Sequence, residues 1–508
     1  MNAPILLGPI LGLESGDIYT VCLLTSKSQT PLMLELADGQ GTFAFKKVAL
    51  VGENAFWRAE FSVPAKPKGY NVAYTVSSGG KTIGNLHGAS WFFYVPATDE
   101  QPQVLYTSCN GFSTAKLASN TAKPYALWER MVKLHSGKKE SGPESGPYSL
   151  LLMGGDQVYA DEIWETGLCP LLKEWSHLDA KAQESAKVTA SLAKEIEDFY
   201  NSLYLNRWKT KDMANILASV PSVMMWDDHD IFDGWGSYPE KRHNCDVFQK
   251  IFKEAARVYD IFQLRCSDKN RLNPKASHRT LRLTYRDFHI LALDNRSERT
   301  TNQIMSPNHW NDVKSYLDGL QNEVVKNLLI MSGVPVVYRS FATVEKLFDA
   351  TPWHEELEDD VQDHWSATSH QAERMKLVMV FLNFLKAKQD KQTTTPLRGI
   401  LLSGDVHVGA LGQIWDASRK VGLTQIISSG IVHPPPSMLA WVGLELMTSD
   451  TPEPLGEGDV VAEMLTPIGA DRYLRTRNFA TLHLGSDQKL WINWVCEDED
   501  SKPSFAIA

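Results

Sequence analysis

Four short apolar runs in this sequence each end at residue types that bind metal ions. The apolar segment 223–226 is followed directly by Asp-Asp-His-Asp at 227–230. The other runs, at 104–107, 149–153 and 399–403, lead into Ser-Cys-Asn-Gly, Gly-Gly-Asp-Gln and Gly-Asp-Val-His. Short apolar runs bounded by proline and glycine are typical of buried strands, and open α/β sheets gather their sites at the carboxyl ends of strands. We therefore expect the four strand ends to converge on one shared polynuclear metal site.

The order of elements predicts an α/β fold after an N-terminal all-β region. Residues 1–100 contain short alternating runs separated by turn residues, which predicts a small β-sandwich domain, joined through a linker at 96–102 to a catalytic domain at 101–508. Strands are predicted at 281–285, 289–293, 327–331, 399–403 and 424–427, a closing hairpin at 478–484 and 489–495, and helices at 124–135, 180–208 (as one helix or broken once), 210–218, 246–264, 307–321 and 370–388. Alternating strands and helices indicate a central sheet covered by helices.

The composition argues against some classes of protein. The 508 residues carry a formal net charge of −10, which argues against a nucleic-acid-binding surface. Anionic substrates are still compatible, because bound cations can dominate the local field. The six cysteines are scattered without a CxxC pair, which favours a reduced, cytoplasmic protein over a disulfide scaffold or a zinc ribbon. The sequence leaves the oligomeric state open.

No segment of the sequence suggests membrane targeting. The N-terminal stretch lacks a basic region and contains Pro4 and Pro9, so it does not resemble a signal peptide. The weakly charged segment 421–447 is interrupted by the prolines at 434–436 and contains His433, so no transmembrane segment is expected. We predict a cytoplasmic location.

Two residues at strand ends have both a metal-binding and a structural interpretation. Asp156 could bridge two hard cations with its two oxygen atoms, but an aspartate at this position also suits a helix N-cap. The neighbouring Tyr159 and Asp161 favour the metal site. Cys109 is either a thiolate ligand, which would favour iron or zinc over magnesium, or a buried small hydrophobic residue.

The remaining strand ends offer further ligands. Asp405 and His407 flank one residue, so in extended backbone both side chains point to the same face and can chelate one metal ion or serve two. An isolated Asp-x-His is more often a turn, but its place directly after the strand residues GILLSG favours the metal site. Asp228 is the candidate ligand in the segment 227–230. His229 is the candidate for the group that donates a proton to the leaving oxygen, with a supporting role behind the ligands as the alternative.

Five segments together form a pattern that is specific when taken as a set. They are SC at 108–109, GDQVYAD at 155–161, WDDHD at 226–230, LDNRSER at 293–299 and SGDVH at 403–407. In this order they resemble the PhoD-like phosphatases, a branch of the calcineurin-like metallophosphoesterase superfamily, over roughly residues 104 to 500. The resemblance implies a four-layer α/β sandwich behind the N-terminal β-sandwich. It also implies a di- or trinuclear site, with iron(III) and calcium as the expected metals and manganese or zinc as alternatives.

The resemblance also assigns roles to individual residues. The iron-type metal would be held by Cys109, Asp156, Tyr159 and His407, and the calcium-type metal or metals by Asp156, Asp228 and Asp405. Arg296 and Arg299 would clamp phosphate, because a guanidinium fork fits phosphate oxygens, unless they form a solvated face. Asp363 is a further candidate ligand, in a segment where Ser366 replaces the second acid of the family pattern.

These residues predict a metal-dependent phosphoesterase that acts on phosphate monoesters or diesters of a small phosphorylated substrate. Two metals would lower the pKa of a bridging water, and the resulting hydroxide would attack phosphorus while His229 assists the leaving alcohol. One alternative is a phospholipase-like phosphodiesterase with a channel shaped by 434–436 and Trp441. The other is a non-enzymatic, metal-containing binding or scaffold protein.

Overall fold

The structure is a computed structural model that describes residues 4–26, 31–137, 144–165, 167–338, 365, 367–447, 449–456 and 460–508. Its strands, labelled in chain order, are β1 (Ile5–Glu14), β2 (Ile18–Ser26), β3 (Leu32–Leu36), β4 (Gly41–Ala44), β5 (Lys46–Val51), β6 (Asn54–Ser62), β7 (Tyr70–Ser78), β8 (Lys81–Ile83), β9 (Ser90–Val95), β10 (Val104–Thr107), β11 (Leu150–Gly154), β12 (Ser222–Met225), β13 (Leu281–Tyr285), β14 (Phe288–Ala292), β15 (Asn327–Met331), β16 (Arg398–Ser403), β17 (Gly409–Asp416), β18 (Gly422–Ile427), β19 (Glu453–Leu455), β20 (Val460–Leu465), β21 (Tyr473–Leu474), β22 (Asn478–Leu484), β23 (Leu490–Cys496) and β24 (Ser504–Ile507). The α-helices are Ala115–Asn120, Ala126–His135, Glu162–Glu165, Pro170–Ser176, Ala180–Ser185, Ala190–Arg207, Lys211–Ser219, Glu240–His243, Asp246–Phe262, Pro307–Leu320, Gln371–Lys391 and Met438–Met447. Single 3₁₀ turns lie at Ala37–Gly39, Asp228–Asp230 and Thr368–His370. None of the helices in the described ranges combines the length and the apolar character that crossing a membrane requires.

Two large sheets form the body of the fold. The first has the strand order β24-β23-β22-β10-β11-β12-β1-β2-β6-β5, and the second has the order β13-β14-β15-β16-β18-β17-β20-β19, with β21 paired to β17. In the first sheet β10, β11 and β12 are parallel neighbours. In the second sheet β14, β15, β16 and β18 are parallel neighbours. Parallel neighbours bring their carboxyl ends to the same edge, so each sheet presents several strand ends side by side.

Alternate residues of the second sheet face two different cores. In β15, Leu329 and Met331 belong to the core that includes the first sheet. Leu328 and Ile330 belong to a separate core on the opposite face. Because both faces of the strand are buried, its residues 328–331 are all apolar and show no alternation.

Helices cover the outer face of each sheet. Pro307–Leu320 and Gln371–Lys391 contribute buried apolar side chains to the core outside the second sheet. Ala190–Arg207 and Asp246–Phe262 pack against each other and contribute to the core that contains the first sheet. The architecture is therefore helix, sheet, sheet, helix, which confirms the predicted four-layer α/β sandwich.

The N-terminal region is all-β, as predicted, but its strands lie in two sheets. β3, β4, β7, β8 and β9 form a five-stranded sheet, whereas β1, β2, β5 and β6 belong to the first large sheet. Aromatic side chains pack between them, with ring centroids 4.8 Å apart for Tyr19 and Phe93 and 5.9 Å apart for Phe61 and Phe93. β1 runs parallel to β12, with Gly12 opposite Ser222. The strand order thus continues across residue 100, and a domain boundary at that point stays a prediction.

Many predicted elements are present with shifted ends. The predicted helix 180–208 is two helices, because the Thr189 hydroxyl accepts a hydrogen bond from Leu192 N and caps a new helix at Ala190. The closing hairpin is formed by β22 and β23, which pair antiparallel. The helix Met438–Met447 and the strands β17 and β20 are not predicted by the sequence patterns.

The carboxyl edges of the two sheets meet. A parallel bridge joins Ser108, which follows β10, to Gly430, which follows β18. The backbone N–H groups of Val432 and His433 donate to the carbonyl oxygen of Cys109 at 3.3 and 3.2 Å. Strand ends from both sheets therefore lie against one another, as the sequence predicts.

Candidate metal centre

Four of the predicted ligands adopt left-handed backbone conformations. The φ angle is 51° at Cys109, 54° at Asp156, 65° at Asp405 and 54° at His407. Such values are uncommon outside glycine and occur where the chain turns sharply, often at functional sites. The expectation that extended backbone aligns Asp405 with His407 is therefore wrong, because both residues lie in the bend after β16.

Cys109, Asp156 and His407 form a first group of potential ligands. One donor atom from each lies within 4.8 Å of the other two. Tyr159 joins them, since its hydroxyl is 3.3 Å from His407 Nε2. Asp156 is 1% exposed, and its Oδ1 has no hydrogen-bond partner among the residues that the structure describes. A buried carboxylate oxygen without a partner is costly unless a cation binds it, so this group fits a metal ion.

Two further groups overlap the first. Asp156, Asp228 and His229 offer donor atoms within 4.8 Å of one another, and so do Asp227, Asp228 and Asp405. Asp156 and Asp228 each belong to two groups, as expected where neighbouring metal ions share carboxylates. The predicted ligands that lie in the described ranges therefore come together in one continuous cluster.

The electrostatics of the cluster favour bound cations. Burial raises the pKa of the Cys109 thiol well above its ordinary value, and the Asp156 carboxylate raises it further. Burial also raises the pKa of Asp156 and lowers that of His407. A bound metal ion would lower the pKa of Cys109 and of Asp156, because it stabilises the thiolate and the carboxylate. Sulfur, imidazole and phenol donors suit iron or zinc, whereas a group made of carboxylates suits a harder cation such as calcium.

The segment 227–230 divides its acidic residues between the site and the scaffold. Asp230 accepts hydrogen bonds from the backbone N–H groups of Gln157, Val158 and Asp227, each at 3.0 Å. Burial raises the pKa of Asp230 to about 7, and the backbone donors oppose this rise. Asp230 therefore ties the loop after β11 to the loop after β12 and does not face the cluster as a ligand.

His229 is oriented by a carboxylate. Its Nδ1 lies 2.9 Å from Asp161 Oδ2, and Asp161 Oδ1 accepts a hydrogen bond from the backbone N–H of Asp233 at 2.9 Å. Burial lowers the pKa of His229, but the carboxylates of Asp161 and Asp228 outweigh burial, so the pKa is raised well above its ordinary value. Because Nδ1 faces Asp161, Nε2 is the nitrogen that can exchange a proton with another group, which suits a proton donor.

The two arginines predicted to clamp phosphate are fully buried. Arg296 is 0% exposed and Arg299 is 1% exposed. Arg296 donates from Nε to Asp227 Oδ1 and from Nη2 to Asp228 Oδ1, the latter at 3.3 Å. Arg299 packs against the backbone of Gly236, where a Cβ atom would lie 2.5 Å from Arg299 Cγ. Contact of either arginine with phosphate stays a prediction.

The predicted ligand Asp363 lies outside the described residues. In the helix Gln371–Lys391, which follows it, Glu373 and Arg374 bind other parts of the protein. Glu373 accepts a hydrogen bond from Trp310 Nε1 at 2.9 Å. Arg374 forms two hydrogen bonds with Glu453, at 3.0 and 2.9 Å. These contacts bind the helix Gln371–Lys391 to the helix Pro307–Leu320 and to β19.

Three residues of the cluster make contacts that the sequence patterns do not predict. His433 stacks on His407 with ring centroids 3.7 Å apart, and burial lowers its pKa to about 3. Its position after β18 is a usable signal, because this strand also ends at the edge where the sheets meet. Asp227 and Asp161 bind side chains that are 69 and 68 positions away, and no local pattern shows such pairs.

Comparison with other sequences points to one family. The family model described as PhoD related phosphatase matches residues 81–353. A relative from Saccharomyces cerevisiae (strain ATCC 204508 / S288c), described as "Uncharacterized protein YGR266W", is 28% identical over 434 residues, which are 73% of this chain and 58% of that protein. The chain thus spans less than two thirds of the length of this relative.

Two solved structures share the fold. A structure of PhoD has a TM-score of 0.57 at 13% identity, covering 100% of this chain and 93% of that chain. Purple acid phosphatase PPD1 from yellow lupin (Lupinus luteus) seeds has a TM-score of 0.52 at 11% identity, covering 100% of this chain and 74% of that chain. At these identities the likeness concerns the fold. The family match covers 353 − 81 + 1 = 273 of the 508 residues and includes Cys109, Asp156 and the segment 227–230, so this chain belongs to the PhoD related phosphatases, as its motifs predict.

Proposed function

We propose that this chain is a metal-dependent phosphoesterase that hydrolyses phosphate monoesters, diesters or both. The observation that carries the proposal is the overlap of two ligand groups at Asp156. One group also contains Cys109 and His407, and the other contains Asp228 beside His229, the proton donor assigned below; within each group the donor atoms lie within 4.8 Å of one another. A carboxylate placed between two sets of ligands is what a two-metal hydrolytic site needs. Membership of a phosphatase family supports the same class of reaction.

Iron(III) and calcium are the metals that we assign to the centre, with manganese or zinc as alternatives. The group of Cys109, Asp156 and His407, completed by Tyr159, would hold the iron-type ion, because thiolate, imidazole and phenolate are transition-metal ligands. The carboxylates of Asp156, Asp228 and Asp405 would hold the calcium-type ion. Bound metal ions would lower the pKa of a water molecule and polarise the phosphoryl group.

His229 is the residue to which we assign proton transfer to the leaving group. The carboxylate of Asp161 fixes His229 Nδ1 and stabilises the imidazolium, so the proton for the leaving oxygen is held on Nε2. Asp230 keeps the loop of His229 against the loop of Asp156, through its hydrogen bonds with the backbone after β11. The protein thereby fixes the proton donor relative to the ligands before a substrate arrives.

Two other hypotheses from the sequence define the alternatives. A phospholipase-like phosphodiesterase would need a substrate channel near residues 434–436 and Trp441. Trp441 is 4% exposed and packs against Tyr473 with ring centroids 5.2 Å apart, so its described contacts support a packing role. A non-enzymatic binding protein would carry the metals without hydrolysing any phosphoester.

Elemental analysis joined to hydrolysis assays tests the proposal. We expect the full chain, purified without chelator, to contain metal and to hydrolyse p-nitrophenyl phosphate or bis(p-nitrophenyl) phosphate. The ratio of the two rates decides between monoester and diester preference. A small phosphorylated substrate is the expected physiological class.

Variants separate the site from the scaffold. Asp156→Ala should lose metal and activity together, because Asp156 belongs to two ligand groups. Asp198→Ala should keep both, since Asp198 is a half-exposed acid on the helix Ala190–Arg207 that pairs with Lys194. A protein with its full metal content and no hydrolysis of either ester would contradict the proposed function and favour the binding-protein alternative.

A further inference from the structure

A positively charged side chain, that of Arg296, already binds the third group of acidic side chains. Asp227, Asp228 and Asp405 offer oxygen atoms within 4.8 Å of one another, a spacing that would suit a cation. Arg296 binds two of these carboxylates, through Nε to Asp227 Oδ1 and through Nη2 to Asp228 Oδ1 at 3.3 Å. Its Nη1 donates to the carbonyl oxygen of Trp235 at 3.2 Å. All three nitrogen atoms of the guanidinium therefore bind the protein.

The ion pair of Arg296 and Asp227 is enclosed. The side chains are 0% and 1% exposed. A Cβ atom at Gly333 would lie 2.1 Å from Asp227 Oδ2, and one at Gly155 would lie 2.9 Å from Asp227 Cβ, so the two glycines make the space that Asp227 occupies. Removing one partner of a buried ion pair is strongly destabilising, because an uncompensated charge is left behind. The pair is therefore a fixed part of the wall of the site.

A hydrogen bond to Asp294 also fixes the backbone of Arg296. Asp294 accepts hydrogen bonds from Arg296 N at 3.1 Å and from Trp226 Nε1 at 2.8 Å. Trp226 directly precedes Asp227 in the sequence. One carboxylate thus ties the arginine loop of the second sheet to the strand end of the first sheet, and the guanidinium is aimed at Asp227 and Asp228 by the scaffold.

We propose that Arg296 takes the place of a third cation, so that the centre holds two metal ions. The inference rests on the proposed metal centre and specifies how many ions it binds. A guanidinium on Asp227 and Asp228 occupies oxygen atoms that a third ion would need and repels that ion. Arg296 is then a positioning residue that neutralises Asp227 and orients Asp228, which differs from the phosphate-clamping role that the sequence suggests.

Metal counting by mass spectrometry and equilibrium dialysis with calcium test this inference on the full chain. We expect wild type to saturate at two ions per chain, and Arg296→Lys, which keeps the charge, to do the same. Arg296→Gln removes the charge while retaining polar atoms. It should gain one additional calcium site, and millimolar calcium should raise its melting temperature more than that of wild type.

Each outcome of the experiment has a separate meaning. Three ions in wild type, with Arg296 present, would overturn the inference, as would an Arg296→Gln variant that folds and binds no additional calcium. If Arg296→Gln does not fold, the wild-type count alone decides between two ions and three. A wild-type protein that binds no metal at all after reconstitution would instead refute the proposed function, so the two failures are distinguishable.

Discussion

Asp161→Asn should uncouple His229 from its carboxylate without removing any atom of the proposed metal ligands. Asp161 Oδ2 lies 2.9 Å from His229 Nδ1, and its charge contributes to the raised pKa of His229. A hydrogen bond to a charged group contributes about 1.5–3 kcal/mol. Since about 1.4 kcal/mol corresponds to a tenfold change in rate, we expect kcat to fall by about 10- to 100-fold for an ester with a poor leaving group.

The assay compares leaving groups, because only a poor leaving group needs a proton. We expect Asp161→Asn to slow hydrolysis of an alkyl or phenyl phosphate and to leave hydrolysis of dinitrophenyl phosphate nearly unchanged, with little change in KM and the same metal content. Asp198→Asn is the control, since its side chain is 57% exposed and its ion pair is with Lys194, away from His229. An equal loss of rate for all leaving groups, or a loss of metal, would refute the assignment of His229 as the proton donor.

Three further predictions concern the scaffold and the charge of the site. Gly333→Ala should lower the free energy of unfolding in urea by about 1–3 kcal/mol, because the added Cβ would lie 2.1 Å from Asp227 Oδ2. Gly412→Ala should lower it less, since the atom nearest to its added Cβ is 3.3 Å away. Equal effects of the two variants would contradict the close packing of Asp227. His135 should weaken the fold in acid: burial lowers its pKa from 6.5 to about 4, so between these values the unfolded chain binds more protons and stability falls as pH drops, by on the order of 3 kcal/mol in full. His135→Gln should flatten that part of the stability curve in melts from pH 7 to pH 4, and an unchanged slope would show that His135 is not its source. Chelation of the metals should lower the melting temperature, because Asp156, Asp228 and Asp405 then repel one another without a bound cation, and re-addition of metal should restore it; a chelator-insensitive melt would count against a metal centre.

The cluster of candidate metal ligands was the most predictable part of this protein, because these residues follow a rule that operates along the sequence. An apolar run followed by Asp156, or by Asp405 and His407, indicates a buried strand and the point where it ends. Parallel neighbours then bring those ends to one edge. This prediction does not require the order of the strands in the sheets, so four strand ends were enough to predict one shared cluster of ligands.

The pairings within the site could not be predicted in the same way. The bond between Arg296 and Asp227 joins the two sheets, and the contact between Asp161 and His229 joins two loops, across 69 and 68 positions of sequence. Such pairs depend on how the two sheets are positioned against each other and on φ angles that cannot be predicted from residue type. An arginine beside a phosphatase motif suggests a phosphate ligand, and only the structure shows that the Arg296 guanidinium binds Asp227 and Asp228.

The parallel pairing of β1 with β12 has a consequence for the way this protein is made. Gly12 meets Ser222, a partner that the ribosome delivers 210 residues later. During synthesis the backbone groups of β1 that face β12 therefore stay unpaired while more than a third of the chain is still being added. Long-range strand pairing of this kind folds slowly and exposes the nascent chain to misassociation. We expect the yield of folded protein to depend on chaperones and on the speed of translation more than on the stability of the finished molecule.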